Sequence, residues 1–274
     1  MTSMSLHQPL ADGRWFAARS ERGLRHWNTD YVTITEGPCI GTAIAISDGD
    51  ADEAGAALRA RMAAEITAFT TAQTGMACAG VAAARSALSA YDQVIPPKTT
   101  TAAAILTAFF TTHAIRLAWV GNLMAFGLTS DGILHTLTEH SHPVKSGPRE
   151  VTTDLIHQRR IRLRCPEAYG PADAMEISRL LLCSDGLTEQ TSREHIAEIL
   201  RSAPPLPAAA CTELVDLALT AGTRDNVTVA VIDLPPRADE LVAQESISAP
   251  TGGGATVLAM TRPARDRKCR GPRR

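Results

Sequence analysis

Neither charge sign dominates this sequence, no two cysteines are spaced as CxxC, and no long apolar run goes unbroken. Lys and Arg number 27 against 29 Asp and Glu, giving a formal net charge of −2. That balance gives no electrostatic reason to expect a nucleic-acid partner. The six cysteines, at 39, 78, 165, 183, 211 and 269, follow no regular spacing. This argues against a thiolate metal site or a disulfide framework; several, such as Cys183, lie in apolar runs and read as buried reduced thiols of a cytoplasmic protein. The start, MTSMSLHQPLADGRW, has no basic region leading into an apolar stretch, so no signal peptide is expected. The most apolar region, 102–128, is interrupted by Thr, His113, Arg116 and Asn122, which suits two buried strands better than a membrane span. What remains is a chain of 274 residues, 45% hydrophobic and 20% charged, long enough for one sizeable domain or two small ones with a substantial core.

Along the chain, strand-like pieces at 14–20 (RWFAARS) and 31–35 (YVTIT) flank the polar ERGLRHWNTD, and a β-rich run at 40–46 stops at Ser-Asp-Gly. From Asp52 the pattern changes to an Ala-rich amphipathic helix, then a second helix over 75–93 that Ile95-Pro-Pro ends. Four strand candidates in series over 100–140 suggest one antiparallel meander, their links being too short for crossover helices. Residues 140–176 read as irregular. SRLLLCSDG is then a buried strand, 193–202 and 208–222 are helices, and NVTVAVIDL is a last β-branched strand. The domain expectation is a flexible N-terminus at 1–12, one domain at 13–235, and a disordered basic tail at 236–274.

Ser-Asp-Gly occurs at 47–49, 130–132 and 184–186, each after an apolar run. Between two β-rich runs at two-residue spacing, Asp131-Gly132 has the hairpin signature. The other two copies end buried strands with a carboxylate. Asp225 immediately precedes the last strand, and Asp30 precedes YVTI. Strands ending at one sheet edge can gather such acids, and clustered carboxylates need a cation; hard ions such as Mg²⁺ and Mn²⁺ take oxygen ligands and can activate a water against a phosphate. Two rival readings of DGDADEAG fail. An EF-hand loop needs Gly at its sixth position and Glu at its twelfth, where Glu53 and Arg59 stand. A haloacid-dehalogenase-type Asp-x-Asp nucleophile needs alternating β and α units, against the run of strands at 99–139. His140 and His142 read as loop surface, and Trp15, Trp27 and Trp119 as core or shell residues.

RLLLCSDGLTE and GTRDNVTVAVIDL closely resemble the last two acidic motifs of the PPM-type, metal-dependent protein phosphatases of the type 2C family. ERGLRHWNTDYV and AISDG resemble its first two, and all four stand in family order over about 13–235. The resemblance implies an α+β fold, a four-layer α-β-β-α sandwich of two antiparallel β-sheets flanked by helices. It implies two ions, Mn²⁺ or Mg²⁺. Asp48 would bridge them, the Gly49 carbonyl would ligate one, Asp185 and Asp225 would bind the other, and Asp30 would hold metal waters or touch the metal. Arg25 would hold the substrate phosphate, and Asn226 would orient the Asp225 loop. The implied activity is hydrolysis of phosphoserine or phosphothreonine by a metal-activated water, on a phosphorylated protein from a Ser/Thr kinase pathway. The expected protein is a cytoplasmic monomer with no nucleic-acid or membrane partner.

The sequence departs from the family at three places. DGDADEAG lacks the usual glycine pair and any histidine after Asp-Gly. Thr29 stands where Glu is common. Asn122 stands where an Asp often binds a third metal, so two ions rather than three are expected. These departures motivate an alternative: a weakly active or inactive phosphatase-like regulatory or binding module.

Overall fold

The computed structural model describes residues 3–10, 14–37, 41–95, 103–111, 115–138, 177–203 and 206–234. Strands β1 (Ser3–Pro9) and β2 (Trp15–Glu21) come first, followed by β3 (Asp30–Glu36) and β4 (Thr42–Gly49). Two helices follow, α1 (Ala54–Thr74) and α2 (Ala77–Val94), then β5 (Ala103–Phe110), β6 (Ile115–Val120), β7 (Met124–Thr129) and β8 (Leu134–Thr136). The last part is β9 (Ile177–Cys183), α3 (Asp185–Thr188), α4 (Arg193–Ser202), α5 (Pro207–Thr220) and β10 (Val227–Asp233). The expected histidine pair 140/142, the irregular stretch 140–176, Cys39, Cys165, Cys269, His113 and the tail at 236–274 lie outside the described residues.

The strands form two antiparallel sheets, one of six strands in the order β1-β2-β10-β9-β7-β8 and one of four in the order β3-β4-β5-β6. Helices cover both outer faces, so the fold is the α-β-β-α sandwich. The strand sequences explain why. Period-two alternation sends Ile44 and Ile46 of β4 into the core between the sheets, while Ala43 and Ala45 meet Ala64, Ala68 and Ala72 of α1. Likewise Leu180 and Leu182 of β9 point between the sheets, and Leu181 and Cys183 point at α3–α5. Both faces being buried is what makes these strands read as unbroken apolar runs. Small residues on the β4–α1 seam let helix and sheet approach closely. Cys183 and Cys211 are buried and free, and Cys78 is half-buried and free. No helix among the described residues is long and apolar enough to cross a membrane.

Four expectations need correction. Residues 1–12 are not simply a flexible lead-in: Ser3–Pro9 pairs along β2 as an edge strand, with Met4 and Leu6 packed against the inter-sheet core. The four strands in series are not one meander. β5 and β6 stay in the four-stranded sheet, and the chain crosses at Gly121–Leu123 so that β7 and β8 join the other. The β7–β8 turn is a hairpin as expected, but Thr129 N to Ile133 O closes three residues, with Gly132 at φ +83. Of the tryptophans only Trp119 is core (1% exposed); Trp15 and Trp27 are 38% and 44% exposed.

Candidate metal centre

Strand register brings the acids to one edge. Asp30 at the start of β3 lies directly opposite Asp48 near the end of β4. In the other sheet, β9 runs into Ser184 and Asp185, and β10 begins just after Asp225 and Asn226. Ser184 joins the two sheets, donating its hydroxyl to Asp30 Oδ2 at 2.7 Å and accepting from Thr228 N at 2.9 Å. The short turn α3 sits hard against the approach to β10, since a Cβ at Gly186 would fall 2.0 Å from Asn226 O. That contact holds Asp185 beside the Asp225–Asn226 segment.

The electrostatics show that the carboxylates feel one another's charge. Burial, then repulsion from Asp30, Asp185 and Asp225, pushes the Asp48 carboxyl well above the usual carboxylate range. Burial is also the main reason that Asp30 sits at about 6, although hydrogen bonds such as that from Ser184 pull it down. Asp185 is raised to about 6 by burial and by Asp225. Asp30 Oδ1 is buried with no hydrogen-bond partner. A cluster of buried oxygens that repel one another, one of them orphaned, is chemically suited to a hard divalent cation. Among the described residues no three such side chains yet stand close enough together to enclose an ion.

Without a metal these raised carboxyls bind protons in the folded state that the unfolded chain releases. Stability from Asp30 and Asp185 therefore grows as pH falls from above about 6 toward the ordinary carboxylate range. In chelator, the melting temperature is expected to be a few degrees higher at pH 5.5 than at pH 7.5, a span chosen as roughly bracketing that window. A flat or falling melting temperature on acidification would contradict the buried-carboxylate arrangement.

All the sequence-predicted residues reach this edge, but several have local partners that the sequence did not show. Arg25 Nη2 bonds Asp225 Oδ2 at 2.6 Å. The Gly49 carbonyl accepts the Thr29 hydroxyl at 2.9 Å, and Gly49 N donates to Thr29 O. Asn122 Nδ2 donates to Asp185 Oδ2. Asn226 does more than orient its neighbour. Its oxygen accepts from Thr29 N at 2.7 Å and, at 2.8 Å, shares the single Thr29 hydroxyl proton with the Gly49 carbonyl, and its Nδ2 donates to Arg22 O and Trp27 O. Asp52, read from sequence only as extra negative charge, accepts from His26 N and Trp27 N at 2.9 and 2.7 Å and bonds the His26 ring at 2.9 Å. Ser184 and the Asp52–His26 pair were not anticipated; the only trace in the sequence was a serine before Asp185 and a surplus acid after Asp48.

The fold finds counterparts among known proteins. No protein-family model matches the chain. The serine/threonine protein phosphatase PstP of Mycobacterium tuberculosis is 27% identical over 236 residues, covering 80% of this chain and 45% of that protein. The crystal structure of the PstP catalytic domain in complex with two manganese ions superposes with a TM-score of 0.62 at 26% identity, over 80% of this chain and 97% of that one. In sequence and in fold the chain is similar to bacterial serine/threonine phosphatases of the PPM type. It spans about half the length of the curated relatives it matches. Staphylococcus aureus Stp1, at 15% identity and TM-score 0.60 over 85% of this chain, shares the fold. Of the places where the sequence departs from the motifs it resembles, Thr29 and Asn122 touch the centre directly, one on the Gly49 carbonyl and one on Asp185.

Proposed function

We propose that this chain is a metal-dependent protein serine/threonine phosphatase holding two Mn²⁺ or Mg²⁺ ions between Asp48, the Gly49 carbonyl, Asp185 and Asp225, with Asp30 behind them. The observation that carries the reading is the mutually repelling set of one buried and three half-buried carboxylates, Asp30, Asp48, Asp185 and Asp225, drawn from both sheets to one edge. Bound there, the ions supply Lewis acidity and a water acidic enough to act as nucleophile near neutral pH. The chain's own groups do the rest. Ser184 fixes the Asp30 carboxylate, and Asn226 and Thr29 fix the backbone beside Gly49. Arg25, whose planar fork suits a phosphate, exchanges its contact with Asp225 for the substrate's oxygens. The substrate is a phosphoserine or phosphothreonine protein delivered by a kinase pathway in the cytoplasm.

A second reading, a phosphatase-like binding module of weak or no activity, draws support from three occupied contacts: Arg25 on Asp225, Thr29 on the Gly49 carbonyl and Asn122 on Asp185. Hydrolysis of p-nitrophenyl phosphate and of a phosphothreonine peptide, in millimolar Mn²⁺ and again in excess chelator, separates the two. The enzyme reading expects turnover of both esters that chelator removes. Equal background in the two conditions would establish the binding module instead.

A further inference from the structure

A serine or threonine phosphoester presents a difficulty that the acidic cluster does not solve. Its leaving group is an alkoxide, which departs readily only if a proton reaches the ester oxygen as the bond breaks. The carboxylates assigned to the ions are deprotonated by that role, and DGDADEAG offers no histidine. The loop before β3 does. His26 follows Arg25, and Arg25 lies within reach of the charges of Asp225, Asp52 and Asp48, which places the loop and Asp52 in the same charged cluster as the centre.

The loop is held from two sides. Asp52 takes the backbone N–H groups of His26 and Trp27, and Asn226 takes the carbonyls of Arg22 and Trp27. Arg22 Nη1 also reaches His26 O at 3.3 Å. The imidazole itself is aimed by a carboxylate, Nδ1 lying 2.9 Å from Asp52 Oδ2. Burial opposes the charge on Asp52, but the hydrogen bonds from His26 and Trp27 outweigh it and hold the carboxyl at about 2. An ionised carboxylate only accepts, so Nδ1 is the donor in this pair. That leaves Nε2 available on a ring that is 90% exposed. Asp52 is the charged group bonded to the ring, while Arg22 reaches the His26 carbonyl and Arg25 is the preceding residue. The other described histidines, His7, His135 and His195, lie on β1, β8 and α4.

We propose that His26, oriented by Asp52, is the general acid of the reaction, an assignment that rests on the phosphatase reading above. The water oxygen bonds to phosphorus while the bond from phosphorus to the ester oxygen breaks. The departing oxygen keeps that electron pair and takes the Nε2 proton, leaving as a neutral alcohol. The imidazolium becomes a neutral imidazole, and the proton lost by the attacking water restores it through solvent.

The test compares leaving groups in Mn²⁺. p-Nitrophenolate departs well without a proton and threonine alkoxide does not. His26→Ala is therefore expected to lower kcat on a phosphothreonine peptide by about a hundredfold, and on p-nitrophenyl phosphate by no more than about threefold. Added imidazole should partly restore the peptide reaction, and the alkaline limb of its kcat–pH profile should vanish in the variant. Asp52→Asn should show the same selectivity more weakly. A readout independent of turnover is the ¹⁵N spectrum of the His26 ring in the metal-free protein, which should report a protonated Nδ1 that Asp52→Asn abolishes. Equal losses on the two esters, or none on the peptide, would overturn the assignment to His26. If the unmodified protein hydrolyses neither ester, the phosphatase reading fails first and takes this one with it.

Discussion

Asp48→Asn is expected to lower Mn²⁺-dependent ester hydrolysis by at least about a hundredfold, about 2.7 kcal/mol of barrier, while making the metal-free protein more stable. The two effects have one cause. Asp48 is half-buried, desolvated by its surroundings and repelled by Asp30, Asp185 and Asp225, so its charge is a liability until a cation compensates it. A neutral amide of the same shape removes the repulsion and also removes a hard, charged oxygen donor. In chelator the variant should melt a few degrees above the parent. In Mn²⁺ the order should reverse, because the parent gains stability from the bound ion and the variant does not. Activity assays and thermal melts on the same samples check both halves. A variant that loses activity but is also destabilised in chelator would mean that Asp48 is a structural residue whose partners have been misjudged.

The largest effect on stability is expected from Asn226→Ala. This side chain is 1% exposed and makes three full hydrogen bonds, one accepted from Thr29 N and two donated to the Arg22 and Trp27 carbonyls, and it shares the Thr29 hydroxyl proton with Gly49 O. Truncation leaves buried donors and acceptors unpaired, each costing about 1–3 kcal/mol. Some relax toward solvent on the loop side, so a net loss of about 3–5 kcal/mol is expected, read from urea unfolding. Because the same bonds hold Arg25 and His26 in place, hydrolysis should fall as well, and amide exchange in 22–29 should rise above that of the sheets. A loss below about 1 kcal/mol would show that the loop is held by Asp52 alone.

Much of this was legible in the sequence, for identifiable reasons. β9 and β10 were plain because burial on both faces leaves no charged interruption in LLLC or VTVAVI. Asp185 and Asp225 stood out because each adjoins such a strand. The edge strand β1 was missed because its inward residues, Met4 and Leu6, alternate with Ser and His and are only partly buried. The split of the series β5 to β8 was missed because Gly121–Leu123 is as short as a hairpin loop, and length alone cannot say whether a chain turns within a sheet or leaves it. The contacts that tune the centre were hidden by distance along the chain: 63 residues separate Asn122 from Asp185, 200 separate Arg25 from Asp225, and 26 separate His26 from Asp52. No local pattern encodes such pairs.

The chain passes between the two sheets at two described places, through 22–29 before β3 and through Gly121–Leu123 after β6. Everything from Asp30 to Val120 is thus an uninterrupted insertion into the six-stranded sheet. Asp48 pairs with Ala104, and Ser47 with Ile105, which in turn pairs with Val120, so both ends of the insertion emerge at the edge that carries the acids. The two covalent crossings and the Ser184–Asp30 hydrogen bond therefore tie the sheets together along the same edge. Cations held by Asp48 on one sheet and by Asp185 and Asp225 on the other would add a further tie at that edge, so metal loading should fasten the sheets to each other there without repacking the core between them.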